Sequence, residues 1–202
     1  GEKAVRLLLE TDNQPAIATA LEWAKGENQH IVTLADPEYP QALLEISDPP
    51  SLLYVRGRIE LLNRPILSIV GSRNPTPQGI LNAERFSAAL AESGLVIASG
   101  LALGIDAAAH RGALDSGGDT IAFIGTGIDR IYPARNKELA HEIGMRGAIV
   151  SEFPIGTPVI ASNFPRRNRL ISGIARGVLV VEAALESGSL ITARLAAEQG
   201  RE

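Results

Sequence analysis

The sequence predicts a doubly wound α/β fold: a mostly parallel sheet with helices on both faces, preceded by a small, mostly helical segment. Three observations lead there. After residue 64, five short apolar runs alternate with longer stretches of helical periodicity, the order expected of βαβ units. The runs are apolar throughout and do not alternate with polar residues, as in strands covered by helices on each face. Most of them end on Gly beside Ser or Thr, followed by a helical pattern, and in such folds ligands bind beyond the carboxyl ends of the strands.

The elements follow in chain order. Pro15–Lys25 reads as a helix, with Pro15 in its first turn and Ile17, Ala20, Leu21 and Ala24 on one face. Pro37–Ile46 reads as a second helix, stopped by Pro49-Pro50, and Leu52–Val55 as a short strand ended by Gly57. Residues 1–60 are therefore expected to form a small accessory segment, and residues 61–202 the ligand-binding core. Within the core the strands are Ile66–Val70, Leu95–Ala98, Thr120–Ile124, Ala148–Val150 and Val178–Val181, each too short for a helix and most rich in Val and Ile. The helices between and after them are Gly79–Glu92, Gly104–Leu114, Asn136–Met145, Arg166–Ala175 and Ser189–Gln199.

A length of 202 residues suits one full domain with a small addition, at roughly 100–200 residues per domain. An apolar fraction of 45% supports a real core. No window approaches the roughly 18 apolar residues of a membrane helix, and no basic-then-apolar leader opens the chain, so a cytoplasmic protein is expected. Zero Cys removes disulfides, thiolate metal sites and cysteine nucleophiles together. The start at Gly1 and the stop at Glu202, as a helix ends, read as a piece of a longer chain.

A net charge of −4 speaks against a nucleic-acid binder, but the average hides an asymmetry. Residues 1–60 hold five Lys/Arg against ten Asp/Glu, and residues 61–202 hold fourteen against thirteen. Ala161–Arg176 carries Arg166, Arg167, Arg169 and Arg176 with no acid, a local field of +4 in an acidic whole. The strand ends supply Gly71-Ser72-Arg73, Ser99-Gly100, Gly125-Thr126-Gly127, Ser151-Glu152 and Glu182 through Ser189. Gly admits a ligand close to the backbone, hydroxyls donate, and helix N-termini offer unpaired N–H groups, which together suit phosphate. Such turns also serve any strand-to-helix connection, so only their repetition in one sheet favours phosphate recognition.

Tests for catalysis come back negative. Asn74 and Pro75 break G-x-G-x-x-G after Gly71, and no Gly-Lys-Ser or Gly-Lys-Thr occurs, which argues against a dinucleotide cofactor and a P-loop. His30, His110 and His141 offer no metal spacing, so neither metal nor cofactor is expected. Asp106 and His110 share a helix face; an acid–base pair is conceivable, but a helix-opening Asp with a His bonded to it is favoured. Glu152, Glu182 and Glu186 lie near strand ends without a partner nucleophile. Arg73 is different: it follows the first core strand directly, where a guanidinium can grip phosphate through two hydrogen bonds. Ser162-Asn163-Phe164-Pro165-Arg166-Arg167-Asn168-Arg169 adds an aromatic among guanidiniums and amides, the chemistry that a single nucleic-acid strand asks for. The alternatives are a core plug for Phe164 and a solvated face for the Arg run.

Taken together, the residues after 64 resemble the DprA family, the DNA-processing protein A proteins also called Smf. The resemblance rests on Ser68 through Arg73, Ser99 through Asp106 with His110, Ile131-Tyr132-Pro133 with Asn136, and Ser151-Glu152. It continues in Asn163-Phe164-Pro165 with Arg167-Asn168-Arg169, Val180 through Ala183, and Ser187 through Ala193. Tyr39-Pro40, Pro50, Leu53-Tyr54 and Gly57 resemble the segment that precedes the core in that family.

The resemblance implies an extended Rossmann fold and a non-enzymatic mediator that binds incoming single-stranded DNA in natural transformation and loads the recombinase RecA, commonly as a homodimer. It implies DNA contacts at Arg73, at Phe164 and at the backbone of Ser187, Gly188 and Ser189; with the strand-end turns and the Arg-rich stretch read above, Gly71, Ser72, Gly100, Asn163, Arg166, Arg167, Arg169 and Thr192 complete the expected DNA-binding set. Some members carry a Lys a few residues before the Phe; here Val159, Ile160 and Ala161 stand there, so that contact is absent or supplied by Arg166. The family's core continues with another strand, which the present chain would place beyond residue 202. Two alternatives stay open: a phosphoribohydrolase-type enzyme, whose Pro-Gly-Gly-x-Gly-Thr-x-x-Glu signature is missing here, and a nucleotide-sensing module. If Arg73 and two of Arg166, Arg167 and Arg169 neutralise phosphates, log K should fall with log salt at a slope near −2, at roughly 0.7 per contact.

Overall fold

The computed structural model describes residues 13–184 and 187–202. Helix α1 (Gln14–Trp23) leads to strand β1 (Gln29–Thr33), the single-turn helix α2 (Gln41–Leu44), strand β2 (Leu52–Gly57) and a 3₁₀ turn at Ile59–Asn63. Strand β3 (Ile66–Gly71), helix α3 (Pro77–Glu92), strand β4 (Val96–Ser99), helix α4 (Ile105–Asp115) and strand β5 (Thr120–Phe123) follow. A 3₁₀ turn at Ala134–Asn136 then opens helix α5 (Lys137–Arg146), and strand β6 (Ala148–Ser151), helix α6 (Asn163–Ile174), strand β7 (Gly177–Val181) and helix α7 (Gly188–Glu198) complete the order.

The seven strands form one sheet in the order β1-β2-β6-β5-β4-β3-β7. The five core strands are parallel, with Ser68 opposite Ala98, Ala98 opposite Ile121 and Ile69 opposite Leu179, while β2 runs antiparallel to both β6 and β1. This is the expected doubly wound, mostly parallel, Rossmann-like architecture. Every residue of β4, β5 and β6 is buried, which accounts for runs with no polar alternation. On one face Phe123 and Val150 pack with Leu170, Ile171 and Ile174 of α6 and with Tyr39 and Leu43. On the other, Ala122 and Ile149 meet Leu139 and Ile143 of α5, and Ile69 and Ile97 meet Ala83 and Ala109 of α3 and α4.

Differences from the sequence reading concentrate before residue 60. The expected helix over Pro37–Ile46 shrinks to α2, because Pro40 is extended at ψ 114° and stands as its N-cap. Ahead of it Tyr39 is fully buried, its hydroxyl donating to the Pro50 carbonyl at 2.7 Å. Strand β1 was not expected: its Ile31-Val32-Thr33 run is brief and only Val32 is buried, as befits an edge. Through the pairing of β2 with β6, the strands before residue 60 share the sheet of those after it. Helix α6 begins three residues earlier than expected, since Pro165 fits a first turn whose N–H groups have no partner within the helix.

The topology fixes where a ligand can bind. From β3 the chain steps through β4, β5 and β6 in one direction, then returns to lay β7 on the other flank of β3. The order reverses between β3 and β7, and the crevice beyond their carboxyl ends is the switch point of the sheet. Among the described residues no helix is long and apolar enough to cross a membrane.

Candidate functional site

A cavity of about 330 Å³ opens at this switch point. Gly71, Ser72 and Arg73 form one wall, Ser187, Gly188 and Ser189 the opposite one, and Phe164, Arg167 and Asn168 of α6 the third. Main-chain bonds hold these walls together: Ile105 N–H donates to the Ser72 oxygen at 3.0 Å, and Ser72 N–H to the Val181 oxygen at 3.4 Å. The Asn168 amide donates to the Gly188 oxygen at 3.3 Å, tying α6 to the start of α7. Thr192 lines the cavity one turn into α7, and the Ser187 and Ser189 hydroxyls lie 2.7 Å apart. The N-terminal end of an eleven-residue helix, two hydroxyls and the exposed Arg73 thus converge on one space, an arrangement suited to a phosphate.

Buried charge organises the floor. Asp106 opens α4 and accepts from the N–H groups of Gly100 and Ala102, each at 3.2 Å. Arg167 donates to the carbonyl oxygens of Gly100, at 2.6 Å, and of Phe123. Burial pushes the Asp106 carboxyl up and the Arg167 guanidinium down to about 10, while each charge pulls the other back. Arg167 therefore remains a cation at neutral pH, close beneath the cavity.

His110 is not bonded to Asp106, contrary to the favoured sequence reading. Its Nδ1 meets the Thr120 hydroxyl at 2.7 Å, and that hydroxyl donates to the Ile97 oxygen, so Nδ1 carries the proton and donates. The helix register turns His110 inward to the start of β5, while Asp106 turns to the strand ends. Fully buried, with Nε2 lacking a partner among the described residues, the imidazole is held neutral, its pKa lowered to about 3 by burial and then by the Arg167 charge.

Phe164 stands between this cavity and a second one of about 510 Å³, and lines both. Gly125 makes room for the ring, since a Cβ there would lie 2.9 Å from Phe164 Cδ1. Asn163 fixes the first turn of α6 by donating to the Gly125 oxygen at 3.2 Å. Gly100 and Arg167 border the second cavity, and Tyr132 faces Phe164 with ring centroids 5.7 Å apart.

Not every residue of the expected site meets in the crevice. Arg169 is directed away: it reaches Glu152 at 2.5 Å and Asp48 at 3.1 Å, with its side chain only 11% exposed. Helical spacing puts it on another face of α6 from Phe164 and Arg167. Arg166 is 60% exposed and lies over the Phe153 ring and 3.5 Å from Glu152, beside the cavities and not among the residues that line them. Glu152 is thus a counter-charge. Glu182 has φ +50°, and its carboxylate accepts from Thr76 N–H at 2.7 Å and from the Thr76 hydroxyl, bonds that hold its pKa low and anchor the start of α3. Glu186 lies outside the described residues. Among the described residues no group of three or more His, Cys, Asp or Glu could hold a metal ion.

Among the lining residues without an assigned role from sequence are Tyr132 and Asn168. Tyr132 belonged to a matching motif, but nothing in its spacing placed it beside Phe164. Asn168 lay within the noted Arg-rich stretch, though only the approach of α7 reveals its bond to Gly188.

Comparison with known proteins bears on this geometry. A family profile described as DNA recombination-mediator protein A matches residues 30–202. Protein Smf of Escherichia coli K12 is 47% identical over 188 residues, covering 93% of this chain and 50% of that protein. The X-ray structure of DNA processing protein A from Streptococcus pneumoniae superposes with a TM-score of 0.86 at 43% identity, over 96% of this chain and 66% of that one. A structure of DNA processing protein A from Helicobacter pylori, described for its single-stranded DNA binding mode, gives a TM-score of 0.78 at 36% identity, over 85% and 78% of the two chains. The chain spans about half the length of the Smf protein it matches.

Proposed function

From the premise that this chain belongs to the DNA recombination-mediator protein A family, we propose that its switch-point crevice binds single-stranded DNA without altering it chemically. One observation carries the reading: Arg73, Phe164 and the Ser187–Ser189 start of α7 line a single cavity although they are far apart in sequence. Phosphate is met by Arg73, the two hydroxyls and the N–H groups opening α7, and a base stacks on Phe164. Arg167, held by two carbonyls, supplies positive potential from below. Duplex DNA keeps its base faces stacked within the helix and cannot offer one to Phe164, which gives the preference for single strands.

In the same proposal the protein acts in the cytoplasm on DNA taken up in natural transformation, loads RecA onto the bound strand, and works as a homodimer; family resemblance supports these steps. Fluorescence anisotropy with labelled oligothymidine, competed by duplex and by mononucleotide, tests the binding step. Oligothymidine should bind well ahead of both competitors. Equal affinity for duplex, or tight mononucleotide binding with turnover, would favour a nucleotide-binding module or a phosphoribohydrolase-type enzyme instead.

A further inference from the structure

We propose that Tyr132 and Phe164 form a two-base aromatic platform, so that the unit recognised is two successive nucleotides of a single strand. This rests on the reading of the crevice as a single-strand site and gives that site its length.

The second cavity lies across Phe164 from the first, and Tyr132, Pro133, Leu103 and Val159 make its walls largely apolar. Such a lining suits the flat face of a base better than a phosphate. Tyr132 is 47% exposed, and its hydroxyl makes no hydrogen bond among the described residues, so neither core packing nor a polar anchor accounts for its position. Its loop is nevertheless fixed. Just downstream, buried Asn136 donates to the oxygens of Leu101 and Ala102 at 2.9 and 3.1 Å, pinning the segment to the end of β4.

The geometry of the pair selects the mode of binding. With centroids 5.7 Å apart and planes at 48°, the rings leave no room for a base between them, because stacked bases need about 3.4 Å on each side. Each ring instead offers its free surface, and one base lies in each cavity. Arg73 borders both cavities, which puts its guanidinium where the phosphate linking the two nucleotides must pass.

The test is competition against labelled oligothymidine by thymidine monophosphate, by the dinucleotide TpT, and by the same dinucleotide with its second base removed. TpT should compete about 5- to 150-fold better than the abasic form, the range spanned by stacking one base. Tyr132→Ala should erase that difference, and Tyr132→Phe should keep it. Loss of the second base with no effect on competition, or a difference that survives in Tyr132→Ala, overturns the platform while the single-strand site stands. Failure of oligothymidine itself to bind overturns the site and the platform with it.

Discussion

The Nη1 nitrogen of Arg167 donates to the main-chain oxygen of Gly100 at 2.6 Å, and a Cβ added at Gly100 would lie 2.6 Å from that same nitrogen. Asp106 Oδ2 would be 2.7 Å from this Cβ, so the residue just after β4 has space for hydrogen alone. Gly100→Ala should force the guanidinium off its carbonyls and cost about 1–3 kcal/mol, as overpacking does. Arg167→Leu should cost more, about 3–5 kcal/mol, because the buried carbonyls of Gly100 and Phe123 lose their donor and the buried Asp106 carboxyl loses the cation that offsets its burial. Urea unfolding midpoints check both, and an unchanged midpoint in either variant would contradict the described floor.

His110 makes stability depend on pH. The imidazole binds a proton near 6.5 when unfolded and only near 3 when folded, so between those values the unfolded chain holds the extra proton. Stability due to this group is present above pH 6.5 and is lost as the pH falls below it. The loss from pH 7 to pH 5 should be about 2 kcal/mol. His110→Asn keeps a donor for Thr120 but cannot take the proton, and its urea midpoint should fall less over the same interval. Equal pH dependence in the two proteins would show that His110 is not the group responsible.

Arg73 and Arg169 should separate cleanly. With Arg73 and Arg166 as the exposed cations at or beside the crevice, log K for oligothymidine should fall with log salt at a slope near −1.4, at roughly 0.7 per contact, shallower than sequence suggested. Arg73→Ala should flatten the slope by about 0.7. Arg169→Ala should leave it unchanged and instead lower stability by about 3–5 kcal/mol, because Glu152, 3% exposed, loses its closest counter-charge. Anisotropy at several salt concentrations, with denaturation of the same samples, reads both effects.

Phe164→Ala should weaken oligothymidine binding by about 1–3 kcal/mol for the base it stacks, with the salt slope retained. A variant that lost affinity through the slope instead would show that the ring positions cations and does not meet a base.

The core strands were legible because β4, β5 and β6 are buried on both faces, a condition that leaves an uninterrupted apolar run in the sequence. β1 was not, and α2 was read too long, since an edge strand with one buried residue and a single helical turn are fixed by tertiary contacts, here the pairing with β2 and the seat of Tyr39. At the site, the turn placing Arg73 could be read from strand-end chemistry, as could the proximity of Phe164 to cations. What escaped was direction. Arg167 and Arg169 are two residues apart on one helix, yet one reaches the crevice floor and the other Glu152 and Asp48, a choice made by the helix's rotation against the sheet. Tyr132 escaped too, because its meeting with Phe164 depends on how the loop after β5 folds back.

Photocrosslinking of an oligothymidine carrying 5-iodouracil tests most directly whether a single strand lies across the carboxyl ends of β3, β4 and β7. Mass spectrometry of the crosslinked peptides should place the adducts on Phe164 and Tyr132, with Arg73→Ala reducing their yield. Adducts confined to the opposite rim of the sheet or to the outer face of α5, with none at Phe164 or Tyr132, would contradict the account.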